Sequence, residues 1–107
     1  MAGTLPERDW KYLRSIEKEL LDELCRRINQ RAVEIVQSET GTGHEKYLAL
    51  YKHIEASDRI VGDCFNDWRR STLTMKLLFL YRHKLLDGEQ ILKLSEEARG
   101  FLDRCDA

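Results

Sequence analysis

Apolar residues recur every three or four positions through almost the whole chain, the spacing that lays them along one face of an α-helix. Trp10, Leu13, Ile16, Leu20, Leu24, Ile28, Ala32 and Ile35 form the first such stripe. It predicts a helix that starts at a cap on Thr4 and runs to about Ser38, roughly 50 Å long at 1.5 Å per residue. Strand signals are nearly absent, with no sustained period-two alternation and few β-branched clusters beyond Val33-Glu34-Ile35-Val36. Gly41-Thr42-Gly43 breaks the first helix, because glycine favours a turn over a helix interior. A second stripe carries Tyr47, Tyr51, Ile54, Val61, Phe65 and Trp68, starting near His44 and reaching about Arg70. Ser71 and Thr72 mark a break there by their capping chemistry, and one bent rod through both segments is the alternative. A third segment holds Leu73, Leu77, Leu78, Phe79, Leu80, Tyr81, Leu85 and Leu86, and a last one Ile91, Leu94, Ala98, Phe101, Leu102 and Cys105. Short loops favour antiparallel neighbours. The fold class is therefore all-α, an up-down antiparallel bundle of about four helices with a long first helix, in a single domain over 1–107.

Two local signals sharpen the boundaries. Thr4 with Glu7 and Asp87 with Gln90 both fit a capping box, in which each side chain satisfies a free backbone amide at a helix start. A single proline, Pro6, leaves the interior of every segment free to be helical.

Charge and cysteine content narrow the class of function. Eighteen basic residues against nineteen acidic ones give a net charge of −1, so no global field recruits nucleic acid or anionic lipid. The longest strongly apolar run, Leu77-Leu78-Phe79-Leu80-Tyr81, is far below the roughly 20 residues that span a bilayer, so no membrane association is expected. Charges among the first ten residues stand where a signal peptide needs an apolar segment. With Cys25, Cys64 and Cys105 widely spaced and odd in number, the reading is free thiols in a cytoplasmic protein.

The third segment is apolar around its whole circumference, which usually marks a helix central to a larger core. A chain of 107 residues has few partners with which to surround it. The expectation is a homo-oligomer, a dimer first, meeting through Leu77, Leu78, Phe79 and Tyr81 with Trp68 beside them. The alternative is cover by the long first helix, with Phe79 and Tyr81 at the edge.

Polar residues inside the apolar stripes are candidates for buried pairs. Glu17 falls among Leu13, Leu20 and Leu24, and Asp58 falls between Ile54 and Val61. Folding the second helix back brings Glu17 near Arg69, and a buried carboxylate needs such a partner. Glu17, Asp58 and Arg69 are therefore expected as buried structural polar groups.

No catalytic constellation stands out. Glu-x-x-His is missing, and His44, His53 and His83 have no zinc-ligand spacing, so no metal site and no cofactor are expected. Gly41-Thr42-Gly43-His44 lacks the Lys-Ser/Thr that completes a phosphate-binding loop. Glu19-x-x-Asp22 and Glu55-x-x-Asp58 set two carboxylates one helical turn apart, a spacing that can hold a divalent cation. In this they resemble the acidic pairs of small all-α nucleotide pyrophosphohydrolases of the MazG type, although the Glu-Glu-x-x-Glu run of those enzymes is missing. That resemblance implies a metal-dependent hydrolase as a third reading.

The segment from Arg69 to Leu86 has Arg69, Arg70, Lys76, Arg82 and Lys84 with no acid among them until Asp87. Arg69, Arg70, Lys76 and Lys84 are the candidate phosphate contacts of a nucleic-acid-associated helical protein, the second reading. The first reading is a non-enzymatic, self-associating module that binds an as yet unidentified protein. Its aromatic residues Trp10, Tyr12, Tyr47, Tyr51, Trp68 and Tyr81 are contacts of the type enriched at interfaces.

Overall fold

A computed structural model describes residues 5–106. Among the described residues there are five α-helices: α1 (Glu7–Gln37), α2 (Gly43–Phe65), α3 (Leu73–Arg82), α4 (Gly88–Leu92) and α5 (Glu96–Asp106). A 3-10 turn, Arg70–Thr72, leads into α3. The all-α class and the long first helix are as the periodicity requires. The last expected helix is in fact two, α4 and α5. No helix is long and apolar enough to cross a membrane among these residues.

The helix starts follow side-chain chemistry. The expected Thr4 cap lies outside the described residues, and α1 opens on Pro6, with Glu7 as its first helical residue. At α2, Thr42 and Glu45 form a capping box that the sequence reading passed over. Thr42 Oγ1 accepts from the Glu45 amide at 3.1 Å, and Glu45 Oε1 accepts from the Thr42 amide at 2.9 Å. Gly41 completes the reversal at φ +92°, a left-handed conformation that costs glycine little. The anticipated Asp87–Gln90 box is present at α4, with bonds of 2.8 and 2.9 Å.

The boundary between the second and third segments differs from the expectation. α2 ends at Phe65 rather than near Arg70, and Asp67 turns the chain at φ +59°. Arg69 clamps that turn through its Nε–Asp67 Oδ1 contact at 2.6 Å, while Thr72 Oγ1 donates to the Asp67 carbonyl at 2.7 Å. The two segments are separate helices.

α1 and α2 form an antiparallel hairpin, with His53 of α2 hydrogen-bonded to the Ile28 carbonyl of α1 at 2.9 Å. α3 starts at the foot of this hairpin, where Arg70 pairs with Glu7 at 2.7 Å. It ends beside Arg27, whose guanidinium donates to the carbonyls of His83 and Lys84 at 3.3 and 3.1 Å. The end of α3 is a Schellman turn: the Lys84 amide donates to Tyr81 O and the Leu85 amide to Leu80 O, both at 3.0 Å. Lys84 occupies its left-handed position at φ +56°.

The core sits in the lower half of the hairpin. Leu13, Leu20 and Leu24 of α1 meet Cys64 and Phe65 of α2, Leu73, Leu77 and Leu80 of α3, and Leu94, Ala98 and Leu102 from the C-terminal part. Leu77 and Leu80 are wholly enclosed within the chain. α3 packs mainly against α2 and α5. Leu78, Phe79 and Tyr81 are half-buried at the edge of this core.

Asp9, at the foot of α1, is fully buried and was not anticipated. It accepts from the Ser95 amide at 2.8 Å and the Ser95 hydroxyl at 2.6 Å. Ser95 Oγ in turn accepts from the Ala98 amide at 3.1 Å and so caps α5. One carboxyl group thereby fixes the C-terminal helix to the N-terminal one.

Candidate functional site

The hairpin outruns the rest of the molecule, whose principal extents are 53 × 28 × 25 Å. α1 has 31 residues and α2 has 23, whereas α3 has 10. α3 stops beside Arg27, short of the α1–α2 turn. From Cys25 through Ala56 no residue is buried. A two-helix hairpin that encloses so little apolar surface is a weakly supported structure on its own.

What this tip presents to solvent is apolar. Tyr47, Tyr51 and Ile54 are 61%, 58% and 46% exposed, with Leu48 at 41% and, on α1, Val33 and Val36 near half. Tyr47, Tyr51 and Ile54 belong to the same α2 stripe as Val61 and Phe65, at alternating steps of three and four residues with Asp58 counted between Ile54 and Val61. That is the heptad spacing of a helix seam that faces another helix. Its lower part is packed: Phe65 is buried, and Trp68 stacks on it at 5.8 Å and lies 6.5 Å from Trp10. Its upper part has no facing helix. Extended one step at each end, the bare stretch runs from His44, stacked on Tyr47 at 6.5 Å, to Asp58, and both ends are exposed.

The other side of the tip holds an open cavity of about 320 Å³ lined by Arg31, Glu34, Ile35, Lys46 and neighbours. Its charges largely cancel: Arg31 pairs with Glu34 at 3.0 Å, and Glu45 is committed to Thr42. Below the tip, His53 Nε2 faces the Ile28 carbonyl, and Ser57 Oγ lies 3.4 Å from His53 Nδ1. A serine beside a histidine is a nucleophile–base pairing in principle. Here the carbonyl requires Nε2 to donate, and Ser57 is 7% exposed, so the pair ties α1 to α2 rather than meeting a substrate.

The residues singled out from sequence are distributed as follows. Glu17 is half-buried and does not meet Arg69, because α2 ends four residues before Arg69 and the hairpin register ends with it. Arg69 is held by Asp67 instead and is exposed. Asp58 is exposed rather than buried, since no third helix covers that level of α2. Lys76, a candidate phosphate contact, is 8% exposed and donates from Nζ to the Asp63 carbonyl at 2.8 Å. Arg70 is occupied by Glu7, and Lys84 is exposed at the end of α3. The four basic residues thus do not form one free cationic surface. Leu77 is interior and offers no contact to another chain. Trp68 is half-buried in its aromatic stack, and Tyr81 donates its hydroxyl to Asp106, whose carboxylate raises the phenol above its ordinary value.

Among the described residues, no three His, Cys, Asp or Glu side chains converge to hold a metal ion. Asp22, half of one acidic pair, is bonded to Arg26. Cys25, Cys64 and Cys105 are free, and burial, with a smaller contribution from Asp63, pushes the Cys64 thiol up to about 11. Such a thiol is a poor nucleophile at neutral pH. Comparison of the chain with protein-family models, curated proteins and solved structures finds no match.

Proposed function

We propose that this chain is a non-enzymatic helical interaction module that pairs with a second copy of itself through the outward stripe of α2. The observation that carries the reading is the split fate of one heptad seam. From Val61 to Phe65 the seam is packed within the chain, while from Tyr47 to Ile54 the same pattern stands in solvent. Exposed apolar side chains are ordinary when scattered, but a contiguous row along one helix marks an interaction surface. The tip also needs support, since no residue in it is buried. A second helix laid along the stripe supplies that support. The proposed interface is therefore on α2, whose upper stripe is more exposed than α3.

The strength of one contact can be worked out. Tyr51 is 58% exposed. A buried aromatic side chain covers ~150–250 Å², so pairing encloses about 100 Å² more of this one, roughly 2.5 kcal/mol at ~25 cal/mol per Å². A two-fold dimer contains the contact twice, about 5 kcal/mol in all, so its loss weakens pairing more than about a thousandfold. Native mass spectrometry of the purified chain tests the reading, with wild type and Tyr51→Glu compared. The expected result is twice the chain mass for wild type and a folded monomer for the variant. A wild-type monomer throughout the micromolar range, or an unaffected Tyr51→Glu dimer, overturns the proposal.

A further inference from the structure

The bare segment of α2 has a pattern that specifies how two copies would meet. Taking Tyr51 as its centre, the seam has apolar residues one step away on both sides, Tyr47 and Ile54. One step further come His44 on one side and Asp58 on the other. All five are exposed. The segment is thus symmetric in polarity about Tyr51, with an imidazole donor at one end and a carboxylate at the other, about 21 Å apart at 1.5 Å per residue.

We infer that two copies pair antiparallel along α2 with the two-fold axis at Tyr51, so that His44 of each meets the partner's Asp58. This rests on the self-pairing reading above and adds its geometry. An isologous contact requires that residue i meet j while j meets i, and this segment satisfies that requirement with itself. Tyr51 then packs on the partner's Tyr51, and Tyr47 on the partner's Ile54. The Tyr47 hydroxyl comes level with the partner's Glu55, an acceptor one position beyond Ile54.

The competing arrangements fail on the same residues. Parallel pairing puts Asp58 against the partner's Asp58, and like charges facing each other across a seam disfavour that register. Shifting the antiparallel centre one heptad toward the C-terminus, to Asp58, sets Asp58 against the partner's Asp58 and Tyr51 against the partner's Phe65. It also needs Val61 and Phe65, which the chain already uses in its own core. Shifting the other way runs off the start of α2 at Gly43. The uncovered length of the helix and its charge pattern therefore select one register.

Charge reversal tests the register independently of the apolar contacts. Sedimentation equilibrium of the full chain at about pH 6, where histidine side chains carry charge, gives dimer dissociation constants for four proteins: wild type, Asp58→Arg, His44→Glu and the double variant. Each single change sets like charges face to face at two symmetry-related places and weakens the dimer about tenfold. The double variant restores the opposite-sign pairs and returns to within about threefold of wild type. Both positions are exposed, and far-ultraviolet circular dichroism checks that each variant is folded. A double variant as weak as the product of the two single effects overturns the register. Tyr51→Glu measured alongside separates the two failures: if it gives monomers while the double variant shows no rescue, the register falls and self-pairing stands. A monomeric wild type removes both.

Discussion

Removing the buried carboxyl group of Asp9 is the sharpest perturbation of the fold. Asp9→Ala deletes the acceptor for the Ser95 amide at 2.8 Å and the Ser95 hydroxyl at 2.6 Å, in a site with no solvent exposure. A hydrogen bond to a charged group contributes roughly 1.5–3 kcal/mol net, so two amount to about 3–6. The hydroxyl can turn away, but the Ser95 amide is left buried and unpaired. Against this, the variant no longer places a carboxylate in the interior, which returns part of its desolvation cost. The balance is a loss of about 3 kcal/mol. Urea unfolding followed by circular dichroism reads this directly. With a slope of ~1.5 kcal/mol per molar, within the usual range for small proteins, the midpoint falls by about 2 M. Ser95→Ala also loses the α5 cap, and the double variant closes a thermodynamic cycle with a coupling of roughly 1–3 kcal/mol. An Asp9→Ala loss under about 0.5 kcal/mol, or strictly additive single effects, would refute the reasoning that this pair joins the two ends of the chain.

Three further outcomes follow from the local geometry. Lys84→Gly relieves the φ +56° strain at the end of α3 and keeps the backbone carbonyl that Arg27 uses, so it stabilises by about 0.5–1 kcal/mol in the same urea assay. Cys64, with its thiol at about 11, resists iodoacetamide in the folded protein at pH 8 and reacts once urea unfolds it, which mass spectrometry of tryptic peptides detects. The Thr42 amide and hydroxyl hold the Glu45 carboxyl below its ordinary value. A lowered folded-state value means the capping contribution is present above the unfolded carboxylate range and lost as pH falls through the folded one. Protection factors of the amides at the start of α2, with the intrinsic pH dependence of exchange divided out, are therefore expected to fall on acidification in wild type, and Thr42→Ala is expected to flatten that dependence.

Much of this architecture was legible because helices announce themselves by period. The α1 stripe, the Gly41–Gly43 reversal, the Asp87–Gln90 box and the α2 seam all rest on signals within a few residues of one another. What escaped depends on contacts across the chain. Asp9 sits four residues before Leu13 on the α1 stripe, and Ser95 precedes two glutamates as an N-cap does, yet nothing local says that they meet across 86 positions. The α2 terminus was misplaced because Asp67, not the Ser71–Thr72 pair, takes the left-handed turn. That difference of about five residues is why Arg69 does not meet Glu17. The site was half legible. The seam through Tyr47, Tyr51 and Ile54 was read from spacing, but whether a third helix covers it depends on where α3 stops. In the apolar run at Leu77–Tyr81, circumference alone does not reveal that Leu77 and Leu80 are enclosed by the chain itself while Leu78, Phe79 and Tyr81 lie at the edge.

The account turns on whether a second copy covers the upper half of α2. Hydrogen exchange of the backbone amides, followed at two protein concentrations that bracket dimer dissociation, tests this most directly. Amides from Tyr47 to Ala56 are expected to become more protected at the higher concentration, while those of α3 from Leu77 to Tyr81 stay unchanged. Protection in α2 that is independent of concentration, or a change that appears in α3 instead, would contradict it.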